Sequence, residues 1–191
     1  MSPVCRCSPA VVGDSLYTAV NFKAFAVNLS DGSKRWEYTL PKGISTAPTV
    51  TDGTVYYSTA ESTLALDAAS GSEQWTFAPE AFVSSSPAVA DGTVYVGYGD
   101  GGGLYAVSAE DGSERWQFET PKRPTTPAVG DEAVYFGDGT GAVHALGTDG
   151  DAERWTVETD GPVCTPTLGE DTVYVASKAG TVYALSAGDG S

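Results

Sequence analysis

Few side chains in this sequence are suited to chemistry. His144 is the only histidine, and so the only obvious general base near neutral pH. Residues 97–102 match the dinucleotide pattern GxGxxG, but that site needs a helix after the glycines, and the residues that follow favour a strand. Asp100 and Asp138 lie in glycine-rich segments without the alternating acidic residues of a calcium loop. These patterns predict no catalytic residue, no cofactor-binding residue and no metal ligand.

The three cysteines, Cys5, Cys7 and Cys164, indicate neither a disulfide framework nor a zinc site, because their number is odd and their spacing unsuitable. Cys7 and Cys164 occupy a position that Thr46, Ser85 and Thr125 hold in other parts of the chain, so any small side chain suits it. A pair between Cys7 and Cys164 would require the two ends of the chain to meet. The sequence leaves that pairing open.

The dominant feature of the chain is a repeat of about 40 residues. Five prolines mark it, at spacings of 39, 39, 40 and 39 residues: Pro9, Pro48, Pro87, Pro127 and Pro166. The first four units each end on a tryptophan: Trp36, Trp75, Trp116 and Trp155. A fixed period of this size indicates a repeat architecture, with units at about 7–44, 45–83, 84–123, 124–161 and 162–191 of one domain, 1–191.

The third unit predicts four short antiparallel strands. Residues 86–90 form a strand with its proline at the start, and Asp91-Gly92 is a hairpin signal. Residues 93–96 and 104–107 are β-branched and aromatic, a turn joins them over 97–103, and 114–118 alternate polar and apolar residues. Four strands in about 40 residues describe a β-propeller blade. We therefore expect each tryptophan to be structural and to pack against the neighbouring blade.

Comparison between the repeats favours a structural role for His144 over a catalytic one. The equivalents of His144 are bulky and apolar or aromatic, which favours a structural ring: Phe25, Leu64, Tyr105 and Tyr183. Asn28-Leu29-Ser30 is a glycosylation sequon in a predicted turn, and it matters only in an exported protein.

Two segments, Ala65–Trp75 and Ala106–Trp116, resemble the tryptophan-docking motif of PQQ-like (quinoprotein-type) β-propeller repeats. Ala26–Trp36 is similar, and Ala145–Trp155 fits more loosely. The resemblance covers about residues 7–191 and implies an all-β propeller of four-stranded blades. Quinoprotein enzymes of this family hold PQQ beside calcium and a vicinal cysteine pair. This chain has no adjacent cysteines, so the resemblance implies repeats without the cofactor site.

The fifth unit is incomplete, since its tryptophan would be due three residues beyond Ser191. The sequence therefore predicts four complete blades and a fifth that lacks its outer strand. Two interpretations follow: part of a larger ring, or a small closed ring with one open blade. Either leaves a strand edge that could pair with another chain, so an oligomer is compatible with the sequence.

Composition excludes some partners. Twenty-five acidic residues against ten basic ones give a net charge of −15, which opposes nucleic acids and anionic lipid surfaces. The acidic turns also resemble halophilic surfaces, and the alternative is an ordinary acidic soluble protein. No apolar run is long enough to cross a membrane, and no signal-peptide pattern precedes the first repeat.

The sequence favours a non-enzymatic β-propeller scaffold that contacts other proteins through rim loops or an open strand edge. The resemblance places such scaffolds among outer-membrane assembly lipoproteins in the cell envelope, and among sensory propellers. The alternative is a fragment of a PQQ-dependent dehydrogenase. A small-ligand or lectin-like binder using the channel mouth is neither supported nor excluded.

Overall fold

The computed structural model describes residues 8–44, 46–99, 101–150 and 152–191. These residues form twenty strands and no helix, so none of them belongs to a helix that could cross a bilayer. The strands are grouped into five antiparallel sheets, numbered in chain order. Cys5, Cys7 and Asp100 lie outside the described residues, and so does the pairing of Cys7 with Cys164 that the sequence leaves open.

The first two sheets have four strands each, paired in chain order. Sheet 1 contains β1 (Ala10–Val12), β2 (Ser15–Val20), β3 (Lys23–Asn28) and β4 (Lys34–Thr39). Sheet 2 contains β5 (Thr49–Thr51), β6 (Thr54–Ser58), β7 (Thr63–Asp67) and β8 (Glu73–Phe77).

Sheet 3 has one strand more than the repeat predicts. It contains β9 (Phe82–Val83), β10 (Ala88–Ala90), β11 (Thr93–Gly99), β12 (Gly103–Ser108) and β13 (Glu114–Phe118). The extra strand, β9, pairs with the end of β11, which continues through Gly99, whereas the sequence predicted a turn from residue 97. This part of β11 needs glycine at positions 97 and 99, because Cβ atoms there would lie 2.7 and 2.5 Å from side-chain atoms of Pro124 and Arg123.

Sheet 4 is again four-stranded, and sheet 5 has three strands. Sheet 4 contains β14 (Ala128–Val129), β15 (Ala133–Gly137), β16 (Ala142–Gly147) and β17 (Glu153–Glu158). Sheet 5 contains β18 (Thr167–Leu168), β19 (Thr172–Ala176) and β20 (Val182–Ser186). The expectation of a fifth blade without its outer strand therefore holds among the described residues.

Local sequence explains the hairpins. Asp91 and Gly92 both have positive φ, 46° and 66°, as the Asp-Gly turn between β10 and β11 requires. In each complete sheet the last two strands shift register just after an alanine that pairs with the tryptophan: Ala26, Ala65, Ala106 and Ala145. Such a bulge twists the strand locally, and its recurrence gives the four tryptophans one common setting.

The sheets lie side by side around an axis. The short first strands of the five repeats, β1, β5, β10, β14 and β18, contact one another in that order and line the inside of the row. An apolar cluster fills each space between consecutive sheets. The described residues do not close the row into a ring, so the architecture is that of a partial β-propeller.

Candidate functional site

The contact between consecutive sheets is built on the four tryptophans. Each indole N–H donates to a backbone carbonyl of the next sheet, at 2.9–3.2 Å. The carbonyl belongs to the residue that directly follows β7, β12, β16 or β20. The acceptors are Ala68, Ala109, Thr148 and Ala187. Each indole also packs in a tilted arrangement against a tyrosine ring of its own sheet, with centroids 5.8–6.0 Å apart: Tyr17, Tyr56, Tyr95 and Tyr135.

A glycine of the acceptor turn lies beneath each indole. A Cβ added at Gly71, Gly112, Gly150 or Gly190 would lie 2.1–3.0 Å from ring atoms of the tryptophan in the preceding sheet. All four glycines have positive φ. In sheet 4 the glycine is Gly150, which lies five residues before Trp155, whereas Gly71 and Gly112 lie four residues before the tryptophans of their own sheets. This shift explains why Ala145–Trp155 fits the motif loosely.

Aspartate and serine residues fix these turns. The Asp111 carboxylate accepts hydrogen bonds from the backbone N–H and the hydroxyl of Ser113, at 3.0 and 2.7 Å. These bonds favour the ionised form and lower the pKa of Asp111 to about 2. Asp31 makes the same bonds to Ser33, and they lower its pKa. Asp189 makes them to Ser191, and its pKa is lowered by hydrogen bonds from the Ser186 side chain and from Ser191.

His144 lies in the interior of sheet 4. Its ring stacks on Phe136 with centroids 5.0 Å apart and contacts the edge of Phe118. Nδ1 lies 3.1 Å from both Glu153 Oε1 and Thr156 Oγ1. The hydrogen bonds from Thr156 and His144 lower the pKa of Glu153. The ring therefore fills an aromatic packing position.

Asp138 is fully buried and serves its own loop. Its Oδ1 accepts backbone N–H bonds from Thr140 and Gly141 at 2.8 and 3.2 Å. Its Oδ2 lies 3.9 Å from His144 Nε2, and neither atom has a hydrogen-bond partner among the described residues. In the part of the chain that the structure describes, no three histidine, cysteine or acidic side chains group as metal ligands.

Loops at one rim of the propeller enclose a cleft of about 710 Å³ between sheets 3, 4 and 5. We call it the rim cleft, and define it by Ser84, residues 121–126, Asp138, Gly139, residues 162–165 and Lys178. Three of the ten basic residues of this acidic chain line it: Lys122, Arg123 and Lys178. Cys164 lies at the same cleft and is exposed. The cleft therefore offers positive charge that is scarce elsewhere in the molecule.

The far side of sheet 5 is open, and its residues are apolar. Among the described residues no strand pairs with the outer edge of β20. Tyr174 and Val182 are 48% and 73% exposed, whereas the tyrosines equivalent to Tyr174 in the other four sheets are buried. Tyr174 pairs with Ala184, and Val182 pairs with Ala176, so the four side chains share one face. We call β20 together with this face the open end.

Sequence reasoning identified the four tryptophans and the unpaired edge. It missed the rim cleft, because Lys122 and Lys178 are 56 positions apart and only the packing of sheets 4 and 5 brings them to one cleft. It also missed the glycines beneath the indoles. Gly71 and Gly112 both lie four residues before a tryptophan, as Gly32 does in sheet 1, and this spacing was a usable signal.

The fold has many solved counterparts. A computationally designed protein, Ika8, matches with a TM-score of 0.87 and 15% identity, over 96% of this chain and 59% of that one. Quinohemoprotein alcohol dehydrogenase from Comamonas testosteroni matches with a TM-score of 0.82 and 16% identity, over 98% of this chain and 42% of the enzyme. BamB from Moraxella catarrhalis matches with a TM-score of 0.56 and 18% identity, over 96% of this chain and 73% of that one. At these identities the likeness concerns the fold.

The chain thus spans less than two thirds of the designed protein and of the dehydrogenase. No curated protein sequence matches it. The profile of one family does match, over residues 5–126 and 121–191, and it is described as outer membrane protein assembly factor BamB. The repeats, the docked indoles and this match agree, and the chain belongs to that family of PQQ-like β-propeller repeat proteins.

Proposed function

We propose that the protein is a non-enzymatic scaffold that binds a partner protein by strand pairing at the open end. The observation that carries the proposal is the uncovered apolar surface there, where Val182 is 73% exposed beside the unpaired edge of β20. An edge strand offers backbone donors and acceptors to an added strand, and neighbouring apolar side chains add burial. The description of the family as an assembly factor supports a role in protein interaction.

The basic residues of the rim cleft favour a partner strand that carries an acidic side chain near the open end. Lys178 lies in the turn immediately before β20, so a strand added to β20 would end close to the cleft cations. An acidic side chain at that end of the partner would complement them, whereas the rest of this surface would repel it.

The dehydrogenase alternative is tested by titrating the purified chain with PQQ and Ca²⁺. We expect no saturable binding and no dye-linked oxidation of alcohols, because each of the four tryptophans is already packed between two sheets. Saturable PQQ binding accompanied by alcohol oxidation would overturn the scaffold proposal.

Substitution of Val182 by lysine should weaken strand pairing at the open end. We expect the purified protein to self-associate reversibly at high concentration in 1 M KCl, where the repulsion of its net charge is screened to about 3 Å. The Val182→Lys variant should raise the apparent dissociation constant at least tenfold, because a charged side chain opposes pairing at an edge. Light scattering over a concentration series measures the dissociation constants of the wild-type protein and of the variant.

The matched control for Val182→Lys is Val20→Lys, which adds the same charge to a partly exposed valine of β2. It should leave association unchanged, because β2 already pairs on both sides. A protein that stays monomeric at the highest concentrations would contradict pairing at the open end.

We also propose that the acidic surface adapts the protein to high salt. A net charge of −15 on a 191-residue chain repels itself in the compact state, and added salt screens that repulsion. The melting temperature should therefore rise from low to molar KCl. Differential scanning calorimetry over a KCl series measures it.

A matched variant separates charge screening from general salt effects. Asp131→Asn, Glu170→Gln and Asp171→Asn together remove three exposed acidic groups from the β14–β15 and β18–β19 hairpins. The variant should melt higher at low salt and depend less on KCl. A wild-type melting temperature that is flat or falls with KCl would contradict the adaptation.

A further inference from the structure

The acceptor turn that receives an indole occurs five times, but the described part of the chain fills only four of these turns. Leu29 and Gly32 of sheet 1 occupy the positions of Ala68 and Gly71 in sheet 2. Gly32 has a φ of 71°, against 72° for Gly71, so the two turns share this backbone conformation. A Cβ at Gly71 would lie 2.6 Å from Trp36, whereas no described atom lies within 4 Å of the same point at Gly32. The turn of sheet 1 is therefore formed but not covered by the described residues.

The apolar side chains around this turn are open as well. In sheets 2 to 5 the inner-strand residue that corresponds to Val11 packs into the cluster between sheets: Val50, Val89, Val129 and Leu168. Val11 itself is 57% exposed, and Leu29 is 48% exposed. Leu16 and Val27 are only partly buried, although their equivalents in the other four sheets are buried. Sheet 1 therefore has the apolar residues of an interface between sheets, but no described residue covers them.

We propose that this face of sheet 1 binds the tryptophan-bearing outer strand of another PQQ-like blade. The indole would donate its N–H to the carbonyl of Leu29 and lie on Gly32, with Val11, Leu16 and Val27 against the ring. The identity of the occupant follows from the four filled copies, in which the same turn and the same apolar positions receive an indole from the preceding sheet. We call this face the indole acceptor.

The tryptophan must come from outside these 191 residues. All four indoles of the chain are already bound to a neighbouring sheet, so a second copy has none to offer. Residues 1–7 contain no tryptophan. The indole acceptor lies at the opposite end of the row from β20, so this inference goes beyond the proposed function and does not depend on strand pairing there.

The test uses a donor made from the chain itself. The sequence of β13, Glu-Arg-Trp-Gln-Phe, is appended after Ser191, where the repeat places an outer strand and its tryptophan. The donor also carries Gly32→Ala, which blocks its own acceptor. Amide exchange along β20 verifies that the added strand is paired. The unmodified chain, labelled with ¹⁵N, is then titrated with this donor.

We expect saturable shifts of the Leu29 and Gly32 amide signals of the labelled chain. A donor with alanine in place of the appended tryptophan should bind at least tenfold more weakly, because it lacks the ring and the N–H. A labelled Gly32→Ala chain should lose the shifts. A labelled Gly13→Ala chain should keep them, since Gly13 has a similar φ of 59° and its equivalents Asp52 and Asp91 carry side chains in that conformation.

Absence of shifts with the tryptophan donor, or equal binding of the alanine donor, would overturn the proposal. Formation of dimers of the unmodified chain through the face of sheet 1 would overturn it too, because such dimers need no added indole. If the appended strand does not pair with β20, N-acetyl-tryptophanamide serves as the probe at tens of millimolar, and the same shifts and the same two glycine variants decide the outcome.

Discussion

Replacing Trp75 by alanine should lower the free energy of unfolding by about 3–5 kcal/mol, the usual cost of removing a buried tryptophan. Trp75 is buried between sheets 2 and 3, where it packs with Tyr56, Val94 and Val107. Its N–H donates to the carbonyl of Ala109 at 2.9 Å, so the substitution also leaves that acceptor without its partner. Urea denaturation followed by far-ultraviolet circular dichroism measures the loss.

Two further variants serve as comparisons for the stability lost in Trp75→Ala. Trp75→Phe retains a ring but no N–H, and it should cost less, about 1–3 kcal/mol. Phe22→Ala removes an aromatic side chain that is largely exposed and should change stability by less than about 1 kcal/mol. A cost of Trp75→Ala no larger than that of Phe22→Ala would show that the indole does not join the two sheets.

Replacing Gly71 by alanine should destabilise the protein by about 2–6 kcal/mol, the sum of two costs. Part of this is backbone strain, because a non-glycine residue in the left-handed region costs about 1–3 kcal/mol. The rest is steric, since the new Cβ would lie 2.6 Å from Trp36 and force the indole or the turn to move, at a cost of about 1–3 kcal/mol. The same denaturation experiment measures the effect.

Gly32→Ala is the matched control for Gly71→Ala. Gly32 has nearly the same φ and the same place in the turn, but open space where the Cβ would lie. It should therefore show the backbone strain alone, and the difference between the two variants should be about 1–3 kcal/mol, the cost of the clash with the ring. Equal losses at the two glycines would contradict a close contact between Trp36 and the turn of sheet 2.

Most of the blade could be predicted from the sequence because its signals are local. The Asp91-Gly92 hairpin and the alternation along residues 114–118 both correspond to observed structure. The missing outer strand of the fifth blade was also predicted, since a repeat shows where a copy stops. The sequence did not predict β9, because its pairing with β11 depends on how the chain crosses from sheet 2 to sheet 3.

The functional surfaces were less predictable, because they arise between elements that are distant in the chain. The rim cleft combines residues 84, 122 and 178, and no spacing in the sequence joins them. The approach of Asp138 Oδ2 to His144 Nε2 likewise depends on how the turn after β15 leads back into β16. A search of the sequence for motifs finds neither.

The repeat, the strands of each unit and the position of each tryptophan follow from the sequence alone, because turns and alternating patterns act over a few residues. Which copies of the same residues are buried depends on how the sheets pack. Tyr135 and Tyr174 are equivalent, yet one is buried and the other is 48% exposed, and Val50 is partly buried whereas its equivalent Val11 is 57% exposed. The physical reason is that burial needs a neighbouring sheet on the correct side, and the first and fifth sheets each have one side without a described neighbour.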